Sequence, residues 1–282
     1  MIQKSYEKSE YGNLYLVPTP IGNMEDITLR ALKVLKEADY VLAEDTRVTT
    51  MLFNKYEIKN KLVSCHKFNE SKIKDKILND LKEGKTIALV TDRGTPLISD
   101  PGEVVTKYLI ENNINVIALP GPSALLPALS ISGLDASKFL FYGFLNSKLS
   151  IAKKELINIK NEKYTLIFYE SPHRLSKTLP LMLEILGNRQ IIISREISKL
   201  HEEVFRGTIE EAVKEYSEVL GEIVIIVEKN TETEEYSEDD MIKEVKKLIK
   251  EGKSNKDAVK EVSLKFNISK NLLYNMFEGE RK

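Results

Sequence analysis

The chain has 282 residues, 42% hydrophobic and 30% charged, with 42 basic against 43 acidic side chains and a net charge of -1. That length suits two domains with room for a small third, and the balanced charge excludes a polycationic, non-specific nucleic-acid binder, so any RNA or DNA contact must be local. No run approaches the ~18 apolar residues of a membrane helix, and one cysteine with three scattered histidines provides neither a disulfide nor metal-ligand spacing, so no metal is expected.

The first twelve residues are polar and lack an apolar signal segment, which predicts a mobile tail over 1–12 and a cytoplasmic protein. Over 13–135, short aliphatic runs (LYLV, YVLA, KLVSC, TIALV, NVIAL) alternate with amphipathic segments at 28–37, 71–83 and 103–111. That alternation predicts an α/β domain with a largely parallel sheet. Over 136–228 a second, mixed α/β domain is expected, with strands at 139–145, 164–170, 190–196, 203–209 and 222–228 and helices near 149–160, 174–186 and 208–219. Residues 229–240 read as an acidic, solvated linker. Beyond it, 241–282 carries three helical stretches, with Ser254 and Ser269 opening the last two and FNIS between them, the pattern of a helix-turn-helix unit. Eight lysines against three acids between Lys246 and Asn275 concentrate basic charge there. A plain bundle with a solvated basic face is the simpler alternative.

The usual nucleotide and hydrolase signatures are missing: no P-loop, no G-x-G-x-x-G after a strand, no G-x-S-x-G and no H-E-x-x-H. What stands out are three Gly/Pro-rich loops at strand ends, PTPIGN (18–23), TDRGTPLISDPG (91–102) and PGPSA (120–124), where open α/β sheets bind ligands. In the second loop Gly94 and Gly102 permit close backbone approach, prolines stiffen it, and Asp92, Thr95, Ser99 and Asp100 supply polar atoms.

LYLVPTPIGNMEDITLRALKVLKEADYVLAEDTR, LVTDRGTPLISDPG, ALPGPSALLPALSISGL, FYGFL, FYESPHR and SREISKLHEE stand in the order and spacing of a known family. Over roughly residues 12–282 the chain resembles the ribosomal RNA small subunit methyltransferase I family of the tetrapyrrole-methylase-like superfamily. The resemblance implies a two-domain α/β fold with the C-terminal helix-turn-helix unit as an RNA-binding extension. It implies a homodimer that takes S-adenosylmethionine between its domains and methylates the ribose 2′-oxygen of a cytidine in the decoding region of small-subunit (16S) ribosomal RNA, free or in the 30S subunit. Carried over by position, Pro18 and Pro20 line the first loop, and Gly94, Thr95, Pro96 and Ile98, joined by Asp92, hold the cofactor. Ser123 and Ala124 flank it, and Tyr169, Glu170, Ile197 and Thr208 close the site. Two departures are Arg93, where relatives usually have a small residue, and Asn146, where many have proline.

Methyl transfer to a hydroxyl needs alignment and a proton acceptor rather than a covalent nucleophile. The catalytic candidates are Glu44, Asp45 and Arg47 of AEDTR, expected to border the open side of the cofactor with one carboxylate accepting the proton and Arg47 steadying a phosphate or base edge, and Asp100; Glu170, His173 and Arg174 stand behind them. Cys65 reads as a core residue. Two other readings are a methyltransferase of the same fold acting on a tetrapyrrole or diphthamide precursor, and a helix-turn-helix DNA-binding regulator.

Overall fold

The computed structural model describes residues 3–4, 10–217, 219–231, 238–266 and 268–279. Strands β1 (Asn13–Leu16), β2 (Tyr40–Ala43), β3 (Leu62–Ser64), β4 (Ile87–Val90) and β5 (Asn115–Ala118) form a parallel sheet in the order β3-β2-β4-β1-β5. YVLA and IALV are buried along their whole length because helices cover both faces. Val41, Ala88 and Val90 cluster with residues of α1 (Leu29–Glu37) and α2 (Thr46–Lys55), while Leu42, Ile87 and Leu89 cluster with α3 (Glu70–Lys82) and α4 (Glu103–Glu111). β1 lies beside β4, yet the chain leaves β1 toward β2 and leaves β4 toward β5. Connections that part in this way leave a crevice at the carboxyl ends of the two strands.

After α5 (Leu125–Ser132) come β6 (Phe139–Phe144), α6 (Leu149–Ile159), β7 (Thr165–Glu170), α7 (Pro172–Leu186), β8 (Gln190–Arg195), β9 (Glu203–Thr208), α8 (Ile209–Glu215) and β10 (Ile223–Val227). They build a second sheet, β6-β7-β10-β8-β9, in which only β6 and β7 are parallel. The central strand IVIIV is buried throughout. Its Ile223, Ile225 and Val227 pack with α6, α7 and α8, and Val224 and Ile226 pack with Ile21, Ala128 and Leu129. That second cluster is the seam between the sheets: α5 and the loop after β1 rest on the inner face of the second sheet.

The chain divides into two compact units, Met1–Asn230 and Thr231–Lys282. Both sheets fall in the first unit, which the seam makes continuous, where the sequence reading draws a boundary after residue 135. In the second unit, α9 (Glu238–Lys250), α10 (Asn255–Lys265) and α11 (Lys270–Gly279) bury Val245, Ala258, Val259, Val262 and Leu273 together. Ser254 caps α10 by accepting from the Asp257 N–H, as its sequence position suggests. Residues 1–2 and 5–9 of the expected tail, 232–237 of the expected linker, and 267 and 280–282 of the last unit lie outside the described residues. What is described of the tail is docked: the Gln3 amide exchanges two hydrogen bonds with the backbone of Val116 on the edge strand β5, at 2.9 and 3.0 Å.

Helix α2 is absent from the sequence reading. Its opening residues, TRVTT, are rich in β-branched side chains that disfavour helix, and it forms because Asp45 caps it by accepting from the Arg47 N–H. Glu70 is the other surprise. It is 3% exposed, and its carboxylate reaches from α3 to the start of α4, accepting from the N–H groups of Gly102 (3.0 Å), Val104 (3.0 Å) and Val105 (3.4 Å). Gly102 precedes α4 with φ +117° and has no side chain to cap it, so Glu70 supplies the cap from outside. Glu70→Ala is expected to lower stability by about 2–3 kcal/mol, because buried amide donors lose a charged acceptor. Urea unfolding checks this, and an unchanged midpoint would show that the contact is dispensable.

Candidate active site

At the crevice the three Gly/Pro loops lock onto one another. Thr19 and Gly94 exchange two backbone hydrogen bonds, both 2.9 Å, and the Thr19 hydroxyl donates to the Thr91 carbonyl. Thr95 Oγ1 donates to the Pro122 carbonyl at 3.0 Å. A Cβ on Gly121 would stand 2.7 Å from the Pro18 Cβ, so only glycine permits that approach. Gly94 itself has φ +80°, a conformation costly for any β-branched residue.

Between these loops and the second sheet lies a cavity of about 250 Å³. Gly94, Thr95, Ile98, Asp100, Ser123, Ala124, Tyr169, Glu170 and Ile197, all predicted site residues, line it together with Ile21, Phe144, Glu222 and the start of β10. Tyr169 stacks edge-on with Phe144 at 5.6 Å and hydrogen-bonds Ser123 through its hydroxyl.

Asp100, on the cavity wall, has two further acids near it, Glu44 and Asp92, which do not line the cavity themselves. Burial, then the charges of Glu44 and Asp92, push the Asp100 carboxyl up to about 6, while a hydrogen bond from Thr91 pulls the other way. Thr91 Oγ1 also donates to Glu44 at 2.9 Å. Burial raises Asp92 as well, against the opposing hydrogen bond from the Asp45 N–H. Like charges held together in partial burial keep one carboxyl poised near neutrality.

Several predicted residues fall elsewhere. Asp45 and Arg47 are spent on each other: the guanidinium grips the carboxylate through Nε and Nη2, with Nη2 at 2.6 Å, and this pairing holds Asp45 at about 2. They do not border this cavity, and so acidic a carboxylate is a poor proton acceptor. Pro18 and Pro96 are buried supports of their loops and Pro20 faces a second cleft; Asp92 lines that cleft too, and not the first cavity. Thr208 is a correction. It caps α8 in a reciprocal pair with Glu211 and lies opposite Gln190, at the far end of β8 from Ile197, roughly 20 Å away at strand rise. Glu170 lines the cavity, but its carboxylate accepts from the Ser171 N–H and the Thr178 hydroxyl and neighbours Arg174 at 3.4 Å. It organises the start of α7 and is unavailable for chemistry. His173 is exposed on α7 and Cys65 is buried in the core.

The second cleft, about 340 Å³, is lined by Met24, Val48, Met51, Leu52 and Lys199 among others. Arg93 is the one described residue common to both linings. Glu222 and Val224 are lining residues that the sequence reading missed, because they sit in a run that reads as strand core.

Residues 13–213 match the family described as Tetrapyrrole (Corrin/Porphyrin) Methylases. The chain is 45% identical over 286 residues to the ribosomal RNA small subunit methyltransferase I of Halalkalibacterium halodurans, covering 99% of each chain. It is 47% identical over 218 residues to the protein of that name from Thermotoga maritima, covering 77% of this chain and 98% of that one. Among solved structures it resembles the uroporphyrin-III C-methyltransferase of Thermus thermophilus complexed with S-adenyl homocysteine (TM-score 0.57, 22% identity, 77% of this chain and 97% of that one). It also resembles the methyltransferase CobJ (TM-score 0.59, 17% identity, 78% and 95%). The chain belongs to the tetrapyrrole methylase family, in the group of the ribosomal RNA small subunit methyltransferase I proteins.

Gly94→Val is expected to weaken S-adenosylmethionine binding at least about tenfold while the fold persists, since a β-branched residue at positive φ must move the loop off Thr19. Calorimetry reads the affinity and circular dichroism the fold. Wild-type affinity would remove this loop from the site.

Proposed function

We propose that the chain is an S-adenosylmethionine-dependent methyltransferase that modifies the ribose 2′-oxygen of a cytidine in the decoding region of small-subunit ribosomal RNA. The observation that carries this reading is a half-buried carboxyl, Asp100, at the wall of a loop-built cavity, with a second cleft that shares Arg93 beside it. The cavity suits the donor: backbone and hydroxyl groups of Gly94, Thr95 and Ser123 meet a polar end, Ile98, Ala124, Ile197 and Val224 offer apolar walls, and the acids favour a cation. When bound, S-adenosylmethionine supplies an electrophilic methyl on a positively charged sulfur.

The chain's own part is alignment and proton handling. Orienting two reactants supplies roughly 7–11 kcal/mol of a barrier, and the loops pinned by Thr19, Pro122 and Glu70 provide a fixed frame for it. Asp100 accepts the proton of the attacking hydroxyl at a carboxylate oxygen, a contribution of about 10²–10⁴-fold. Glu44 and Asp92 keep that oxygen basic through their charge. Asp45 and Arg47 serve as a rigid cap for α2.

The helical unit at the C-terminus extends the RNA contact through lysines on α9 and α10, and a second copy of the chain completes the active form. The 218 aligned residues that nearly span the Thermotoga relative are close in length to the first unit, which supports chemistry confined to that unit.

The test is incubation of purified small subunits with labelled S-adenosylmethionine, followed by mapping of the modified nucleotide. A single 2′-O-methylated cytidine is expected; label on a base, or none, contradicts the reading. Asp100→Asn should lose about 10²-fold or more in single-turnover rate. In the wild type kcat/KM should rise with pH through about 6 as Asp100 ionises and then level off. Glu44→Gln removes a neighbouring negative charge, lowers the Asp100 pKa and moves that limb to lower pH. A limb unmoved in Glu44→Gln would detach it from Asp100. In the same assay a chain ending at Asn230 should modify the same nucleotide with a higher KM and a shallower salt dependence.

A further inference from the structure

Arg93 lines both cavities and stands in a web of charge whose outer pair, Arg93 and Glu222, is exposed and whose inner pair, Lys199 and Glu196, is largely buried. Arg93 pairs with Glu222, which begins the strand on the opposite sheet. Lys199 pairs with Glu196 at 2.7 Å and with Glu222 at 3.2 Å. The Glu196 N–H also donates to the Glu222 carbonyl, and the Glu222 N–H donates to the Glu196 carboxylate. The loop that presents Lys199 holds Glu196 at φ +54° and Ser198 at φ +68°. It is tied across the seam: the Ser198 hydroxyl donates to Asp26 and accepts from the Asn23 N–H. The Lys199 stem fills the space over Gly22, where a Cβ would come within 2.4 Å of its Cγ.

The second cleft has apolar lining that includes two methionines, Met24 and Met51, the latter 59% exposed. Methionine adapts its shape to flat, polarisable groups. Thr91 and Asp92 stand at the boundary, and Thr91 touches Asp100 on the other side. A carboxylate such as Asp92 accepts from an exocyclic amine of the kind cytosine carries. Exposed ion pairs contribute little to stability, so Arg93 exchanges partners cheaply, and guanidinium binds phosphate through two parallel hydrogen bonds.

We propose that the second cleft receives one nucleotide extruded from the RNA, its base over Met24 and Met51, its 5′- or 3′-phosphate on Arg93 and Lys199, with Arg93 leaving Glu222 to bind it. This rests on the proposed RNA methylation and deepens it. The ribose then lies at the Thr91 partition, between the base slot and Asp100. Extrusion costs a few kcal/mol of lost stacking, which the slot and the phosphate contact offset. In the free protein the Arg93–Glu222 pair closes the passage between the cavities, so arrival of a phosphate opens it. Arg93 acts as a positioning residue.

The experiment measures methylation of purified small subunits across a salt series, with calorimetry of S-adenosylmethionine alongside. Arg93→Ala should raise KM for small subunits about tenfold, equivalent to one lost charge-assisted contact. It should also reduce the log–log salt slope of KM by about 0.7–0.9, the value for one phosphate contact. Lys199→Ala, which lines only the second cleft, should act in the same direction with unchanged cofactor affinity. Arg93→Lys should recover most of the lost slope, and Glu222→Gln should lower KM by freeing the guanidinium. Wild-type KM and slope in Arg93→Ala, with active wild-type enzyme, overturn this proposal alone. A loss of cofactor affinity in Arg93→Ala that matches the rise in KM overturns it too, by confining Arg93 to the first cavity. No methyl transfer to small subunits by the wild-type protein contradicts the RNA reading itself and this proposal with it.

Discussion

Everything at the site depends on a twelve-residue loop, 91–102, being held at both ends. At one end Gly94 exchanges hydrogen bonds with Thr19, which fastens it to the loop after β1. At the other, Glu70 gathers the N–H groups at the start of α4. Between these anchors Leu97 and Ser99 adopt left-handed backbone, with φ +71° and +69°, a strain of the order of 1–3 kcal/mol each that only a constrained setting maintains. The chain thus stores local strain in order to aim Ile98, Ser99 and Asp100 into one cavity.

Holding carboxylates close has an electrostatic cost that the same frame sustains. Glu44 arrives from the end of β2, Asp92 and Asp100 from the loop after β4, and Thr91 lies among them. Free side chains would separate; strand ends in one parallel sheet cannot. The result is an Asp100 that titrates near neutrality beside a cavity that favours a cation, a combination suited to a donor whose positive charge vanishes on reaction. The second sheet contributes less polar matter: it closes the cavity with Phe144, Tyr169 and Val224 and makes the seam through Ile226 and Ile21.

The layers of the fold were legible because aliphatic runs such as YVLA and IALV have no other stable location than a sheet covered on both faces. The three loops that meet at the crevice were legible from glycine and proline in motif order. Other features were not. Helix α2 hides behind β-branched residues. Glu70, a charged residue at a helix start, looks like any solvated side chain until the fold brings α4 against it. Thr208 shows the limit of motif transfer, since order along the chain carries no distance, and β8 puts a full strand length between it and the cavity. Asp45 and Arg47 were rightly read as a cluster at a strand end, but the cluster satisfies itself in a cap, and its neighbours Glu44 and Asp92 carry the electrostatic effect instead.

The central claim, that the cavity between the pinned loops and the second sheet holds the methyl donor with its reactive end toward Asp100, is tested most directly by a crystal structure with S-adenosylhomocysteine bound. The ligand should lie against Gly94, Thr95 and Ser123, its sulfur facing the Asp100 carboxylate, with the second cleft left open beside it. A ligand seated in the second cleft, or one whose sulfur is turned away from Asp100, would contradict it.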